Sequence, residues 1–356
     1  MPREPRRILA HGPIMKQRLT AMPTMKAIQI GAPGSGFELV NREIPKPNAG
    51  ELLIKVQACG VCHGEAILKC GHFPGLTYPR IPGHEVIGTI SKCGSDASGW
   101  QVGQRVGVGW HGGHCFKCPA CRRGEFSACN SNLVTGITID GGYAEYMVAR
   151  SEAVVSIPQE LDAIEGAPLL CAGRTVFGAL KCSGARGGDV VAIHGIGGLG
   201  HMAIQYSRKL GFKTIAISRG TDKKELSLKL GAHAYLDTSS GGTAEELQNV
   251  GGARVILCTA PNSRAIAELI DGLGRDGKII IVAVPQDMMQ FHPGLLLKGN
   301  RSIGGWVSGN IEEAIHFSML SGAMPMVETF PLEQAVIAFD KMMAAKVRFR
   351  AVLTIG

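Results

Sequence analysis

Four cysteines, Cys115, Cys118, Cys121 and Cys129, stand in a C-x2-C-x2-C-x7-C run within HCFKCPACRRGEFSAC. Zn²⁺ takes four thiolates at about 2.3 Å, and two-residue spacers let neighbouring cysteines share one ion, so the cluster predicts a tetrahedral zinc site. Disulfides are the alternative. A reducing compartment disfavours them, and no secretory signal precedes them.

A second run carries different chemistry. The strand-like DVVAIH leads directly into Gly195-Ile196-Gly197-Gly198-Leu199-Gly200 and then a helical pattern. In that strand–turn–helix setting the spacing predicts a dinucleotide site. Gly195 permits the tight turn, Gly197 lets the backbone approach a pyrophosphate, and Gly200 lets helix and strand pack closely. Gly198 and Leu199 complete the turn, and helix-terminal N–H groups face the phosphates. The next strand ends Ile217-Ser218-Arg219-Gly220, with Lys223 and Lys224 just behind. No carboxylate stands there for a ribose 2′-hydroxyl, whereas Ser218 and Arg219 can donate to a 2′-phosphate. The expectation is NADP(H) over NAD(H), with Lys223 adding charge and Val282, within KIIIVAV, a further cofactor contact.

The elements that must position these groups divide the chain. The first half is rich in short strands: KAIQI, ELLIKVQAC, EVIGTISKC, RVGVG and GYAEYMVA, punctuated by Gly and Pro. This suggests a folded-over barrel or distorted sheet. Near residue 172 the pattern changes to apolar strands alternating with helices over 199–210, 222–230 and near 263–271, as in a parallel sheet covered on both faces. The fold expected is α/β: a doubly wound Rossmann sheet plus a β-rich domain. The boundaries expected are 25–172 for the β-rich domain, with a zinc lobe over 111–130, 173–307 for the Rossmann domain, and 308–356 returning to the first.

Composition narrows the function. The chain has 356 residues and a net charge of +8. In the first 24 residues Arg3, Arg6, Arg7, Lys16 and Arg18 oppose Glu4 alone, so +4 of the +8 belongs to this stretch. The remainder shows no basic stripe or module for nucleic acid, and no apolar run reaches the roughly 18 residues of a membrane span. Residues 1–24 are expected to be a disordered tail or upstream start, with a mitochondrial transit peptide as the alternative; otherwise the protein is expected in the cytoplasm.

Further fragments are Cys59-Gly60-Val61-Cys62-His63-Gly64-Glu65, Pro82-Gly83-His84-Glu85 and Leu169-Leu170-Cys171-Ala172-Gly173. Singly, each has an ordinary reading as a redox pair, a core histidine, a buried thiol or a solvated acid. In this order, with the cysteine run and the glycine turn, they resemble the zinc-containing medium-chain dehydrogenase/reductases, the zinc alcohol dehydrogenase family. The match runs from about residue 25 to 356.

The resemblance implies a GroES-like catalytic domain and two zincs per subunit. Cys62, His84 and Cys171 would hold a catalytic zinc with one position open, Glu85 would lie behind it as a transient ligand, and Cys115, Cys118, Cys121 and Cys129 would hold a structural zinc. Glu65 stands where the family usually has Asp, a carboxylate orienting the ligand histidine. His63 and Arg350 resemble the basic residues facing the cofactor pyrophosphate. Phe73 and Trp110 fall at pocket-lining positions, a core role being equally open. The implied reaction is zinc-assisted hydride transfer between NADP(H) and a small alcohol or aldehyde, chiefly aldehyde reduction, in a homo-oligomer (dimer or tetramer). KIIIVAV and RSIGGWVSG are candidate contact surfaces.

One departure matters. The family usually has Ser or Thr after His63, passing the substrate proton onward, and many members have a histidine three residues later. Here these are Gly64 and Ile67. Water filling the vacated space, or His72 in GHFPG, are the expected substitutes. Reduction of activated C=C bonds, which protonates carbon instead, is the alternative reaction. A non-catalytic dinucleotide-binding protein is a third reading, opposed by the complete set of Cys62, His84 and Cys171.

Overall fold

A computed structural model describes residues 22–356. Of the stretch expected to be a tail or targeting segment, residues 1–21 lie outside the described residues. Six parallel strands form one sheet in the order Ala234–Asp237, Lys213–Ser218, Val190–His194, Ala253–Cys258, Leu273–Ile281, Ser302–Gly305. Numbered along the chain this is 3-2-1-4-5-6, the Rossmann order, with its switch point beside Val190–His194. The central strands are near-continuously apolar because both faces are covered. Val191, Ile193, Val255 and Leu257 pack into one cluster, and Ala192, Ile215, Ile256 and Ile279 into the other. The two outermost strands escape the apolar-run signal: AYLD and SIGG are largely not buried.

The second sheet is mixed and seven-stranded. Glu51–Gly60 lies at its centre, pairing with Val86–Cys93, Tyr146–Arg150 and Arg350–Thr354. Val327–Pro331 and Arg350–Thr354, at the end of the chain, therefore belong to this sheet rather than to the parallel one. GYAEYMVA becomes strand only from Tyr146, since Gly141 and Gly142 must first pass under residues 82–86. A Cβ on Gly141 would lie 2.2 Å from Gly83 O. Thr24–Ile30 and Phe37–Glu43 form a separate antiparallel pair.

The helix Ala172–Lys181 joins the two parts. Phe177 meets Tyr206 at 5.5 Å and Phe317 at 4.9 Å between ring centroids, fixing this helix against Gly200–Lys209 and Ile311–Ser321. The residue opening it is Cys171.

Candidate active site

Cys62 caps a short 3₁₀ turn, His63–Glu65. Its sulfur accepts the Gly64 N–H at 3.5 Å, and the Glu65 carboxylate accepts the Cys62 N–H at 2.7 Å. This is a capping box with a thiol in the place of a hydroxyl. His84 and Glu85 end the extended stretch leading into Val86–Cys93. Glu85 folds over Gly60, where a Cβ would lie 1.9 Å from Glu85 Oε2, so glycine is required there. Cys171 sits at the N-terminus of Ala172–Lys181, the helix end that favours a thiolate.

These elements bring ligand atoms of Cys62, His84, Glu85 and Cys171 within 4.8 Å of one another. The two sulfurs are 3.9 Å apart, close to the roughly 3.8 Å expected of thiolates sharing a tetrahedral zinc. His84 Nε2 is buried with no hydrogen-bond partner, while its Nδ1 stands 2.9 Å from Glu65 Oε1. A buried ring nitrogen without a partner, beside two thiols, fits a soft-ligand metal ion. The charges are arranged to suit one. The Cys171 thiol, with His84 and Arg350, holds Cys62 well below the usual thiol range and is itself pushed up in turn. Burial opposes a charge on His84, but Glu65 and Cys62 outweigh it and raise its pKa. Glu65 reaches both its partners despite the extra methylene.

Glu85 is pushed up to about 7 by burial, against the attraction of Arg350. Arg350 is itself buried, and its guanidinium bonds Glu85. It also lies against the glycine turn, since a Cβ on Gly198 would be 2.9 Å from it. Arg350 thus stands between the metal-ligating set and the phosphate turn.

That turn divides its glycines by task. Gly195 has φ +92°, and a Cβ there would strike Ala260 at 2.6 Å. A Cβ on Gly200 would lie 1.9 Å from Gly195 O, while Gly197 faces open space. The helix begins at Gly200, with Leu199 as its half-buried N-cap. Sequence reasoning missed His201, the last residue of the motif. It is buried, with Nδ1 against Gly197 O at 3.0 Å and Nε2 accepting Met326 N–H at 3.1 Å, and so ties the turn to the C-terminal return. Burial lowers its pKa to about 4, keeping it neutral.

At the adenosine end, Ser218 is half-buried and Arg219 exposed. Lys223 Nζ donates to Ile196 O at 2.8 Å, bracing the turn. A carboxylate does stand nearby, from the neighbouring strand. Asp237 accepts the Gly220 N–H at 2.7 Å and is also engaged by Ser239. The linear sequence hid it, because Asp237 reaches this point only through the pairing of Lys213–Ser218 with Ala234–Asp237. Val282 follows Leu273–Ile281 at its C-terminal end, and its N–H bonds Cys258 O. His63 is exposed on its 3₁₀ turn.

Trp110 stands edge-on to His84, with centroids 4.8 Å apart, and Phe73 stands edge-on to Trp110 at 6.5 Å. A Cβ on Gly64 would meet His84 Cε1 and Trp110 Cζ3, each at 3.1 Å. The Trp110 ring thus borders the position of the missing side chain closely. His72 is exposed.

In the lobe, sulfur separations are 3.5 Å for Cys115–Cys129, 3.5 Å for Cys118–Cys121 and 4.0 Å for Cys115–Cys121. A disulfide bond is about 2.05 Å, and all eleven cysteines are free. Backbone N–H groups of Cys115, Cys118 and Ser131 point at these sulfurs. Cys118 falls to about 6, chiefly through the backbone of Cys121. Four clustered thiols with amides aimed at them fit one zinc ion.

Residues 48–159 match the family described as alcohol dehydrogenase GroES-like domain, and residues 198–326 that described as zinc-binding dehydrogenase. The alcohol dehydrogenase notN of Aspergillus sp. (strain MF297-2) is 45% identical over 88% of this chain and 92% of its own. The alcohol dehydrogenase patD of Penicillium expansum is 43% identical over 94% and 99%. The NADP-bound crystal structure of a zinc-binding dehydrogenase target from Sinorhizobium meliloti 1021 superposes with a TM-score of 0.85 at 26% identity, covering 94% of this chain and all of that one.

Proposed function

The chain belongs to the zinc-containing medium-chain alcohol dehydrogenase family and is a zinc-dependent oxidoreductase acting on small molecules, and from that premise we propose that it is an NADP(H)-dependent aldehyde reductase with two zincs per chain. The observation that carries the reading is the convergence of Cys62, His84 and Cys171 beside a glycine turn, with Arg350 between them. Zinc supplies Lewis acidity toward charge developing on the substrate oxygen, and the nicotinamide supplies the hydride.

The remaining work falls to the chain. Cys62, His84 and Cys171 are the ligands, Glu65 fixes the tautomer and direction of His84, and Glu85 lies behind them, held by Arg350. Gly195, Gly197, Gly198, Leu199 and Gly200 receive the pyrophosphate, with His63 and Arg350 adding charge. Cys115, Cys118, Cys121 and Cys129 hold the second zinc. Phe73 and Trp110 shape a narrow, apolar substrate pocket.

For NADP(H), the support is Ser218 and the exposed Arg219, with Asp237 already occupied by Gly220 and Ser239. The similar structure from Sinorhizobium meliloti is also bound to NADP. Exposed Val284, Met288, Leu297 and Val307 beside the edge strand Ser302–Gly305 suit a homo-oligomeric contact. Eleven free cysteines suit a reducing compartment, the cytoplasm.

The crowding of Gly64 by Trp110 favours one alternative, reduction of activated C=C bonds, because hydride delivery there requires no relay hydroxyl. NADPH oxidation measured with aldehydes and with matched enones separates the two. Turnover of aldehydes supports the proposal; turnover of enones alone overturns it. With both cofactors, Arg219→Asp should weaken NADPH selectively, and unchanged NADPH affinity would retire the cofactor assignment.

A further inference from the structure

Arg174 follows Cys171 by three residues, in the first turn of Ala172–Lys181. One of its terminal nitrogens donates to Val307 O at 3.3 Å, a single long bond for a five-donor group. Its Nε is buried with no hydrogen-bond partner. Among the described residues no carboxylate lies within ion-pair distance of it.

It lies one helical turn from Cys171, a member of the metal-ligating set. Val307 follows the last strand of the parallel sheet. Trp110, which precedes His111 in the chain, stands against His84. Burial disfavours the Arg174 charge, and the nearby Cys171 works against that effect. A buried donor with no acceptor carries the full cost of its lost hydration, so a desolvated arginine beside a reaction centre calls for an acceptor.

We propose that Arg174 receives an anionic oxygen of the substrate, so that the preferred aldehydes carry a carboxylate on the chain that bears the reacting carbonyl. Planar, bidentate recognition of carboxylate is what a guanidinium does best. The inference rests on the oxidoreductase reading of the Cys62–His84–Cys171 site and adds the polar end of its substrate. Nothing in the C-A-G motif calls for a charge at this position.

The test is kcat/KM with NADPH for matched pairs, butanal with 4-oxobutanoate and hexanal with 6-oxohexanoate, in the full-length zinc enzyme. The wild type should favour the charged member of at least one pair by about 10- to 100-fold, the worth of a charge-assisted hydrogen bond. Arg174→Gln should collapse that ratio towards 1, mainly through KM for the charged aldehyde. Arg174→Lys should keep part of it, which guards against a variant that fails to fold. Absence of any preference in the wild type overturns the proposal. So does a ratio that survives Arg174→Gln while both rates fall together, since that is what loss of a structural tie to Val307 would give. If none of the four aldehydes is reduced, the functional reading itself fails.

Discussion

The Arg350 guanidinium bonds the Glu85 carboxylate with both groups buried, so the last strand of the chain reaches the centre of the metal-ligating set. On its other side Arg350 touches Gly198 of the phosphate turn. Breaking a buried pair by removing one partner leaves the other charge uncompensated, at about 3–5 kcal/mol. Arg350→Met should therefore lower unfolding free energy by about that much, and adding Glu85→Gln should restore a large part of it. Strictly additive losses in denaturant titrations would show that the two charges do not depend on each other.

Glu65 receives the Cys62 N–H and faces His84 Nδ1. Removing a carboxylate that orients a ligand histidine typically costs 10–100-fold in metal affinity or activity. Glu65→Ala should weaken zinc retention against a competing chelator by about that factor. Glu65→Asp, with shorter reach, should fall between. Equal retention in wild type and Glu65→Ala would remove Glu65 from the site.

Gly64→Ser should not repair the missing relay. The new Cβ meets His84 Cε1 and Trp110 Cζ3 at 3.1 Å, and overpacking of this kind costs about 1–3 kcal/mol. The single variant should lose about tenfold in kcat/KM, and Gly64→Ser with Trp110→Ala should exceed Gly64→Ser alone. A gain in activity from Gly64→Ser alone would show that the tryptophan leaves room for a hydroxyl.

How much of this the sequence disclosed follows from what each signal is made of. The cysteine run, the glycine turn and the central parallel strands are local patterns, and they were legible as such. Cys62, His84 and Cys171 are far apart in the chain, and only their likeness to a family joined them. Arg350–Glu85, His201–Met326 and Asp237–Gly220 depend on segments distant in the chain lying side by side, which no linear spacing encodes. Trp110 was legible as a bulky apolar residue, but its position against Gly64 was not. The edge strands Ala234–Asp237 and Ser302–Gly305 were missed because edge positions do not require continuous apolar runs.

Acid should destabilise the protein through two buried histidines. Burial lowers His194 and His201 to about 4, below the usual 6.5, so the unfolded chain binds more protons than the folded one between these values. Their contribution is complete above about pH 6.5 and is lost as pH falls through about 4, up to about 3 kcal/mol for each. His194→Asn should give a shallower decline of unfolding free energy across this window. An unchanged slope would mean that His194 titrates alike in both states.

The most direct measurement is the zinc content of purified wild type, Cys171→Ala and Cys118→Ser. Two separate thiolate sites predict about two zincs per chain in the wild type and about one in each variant, with only Cys118→Ser leaving the Cys62–His84–Cys171 set intact. Full zinc content in Cys171→Ala would contradict the assignment of Cys62, His84 and Cys171 as a metal centre.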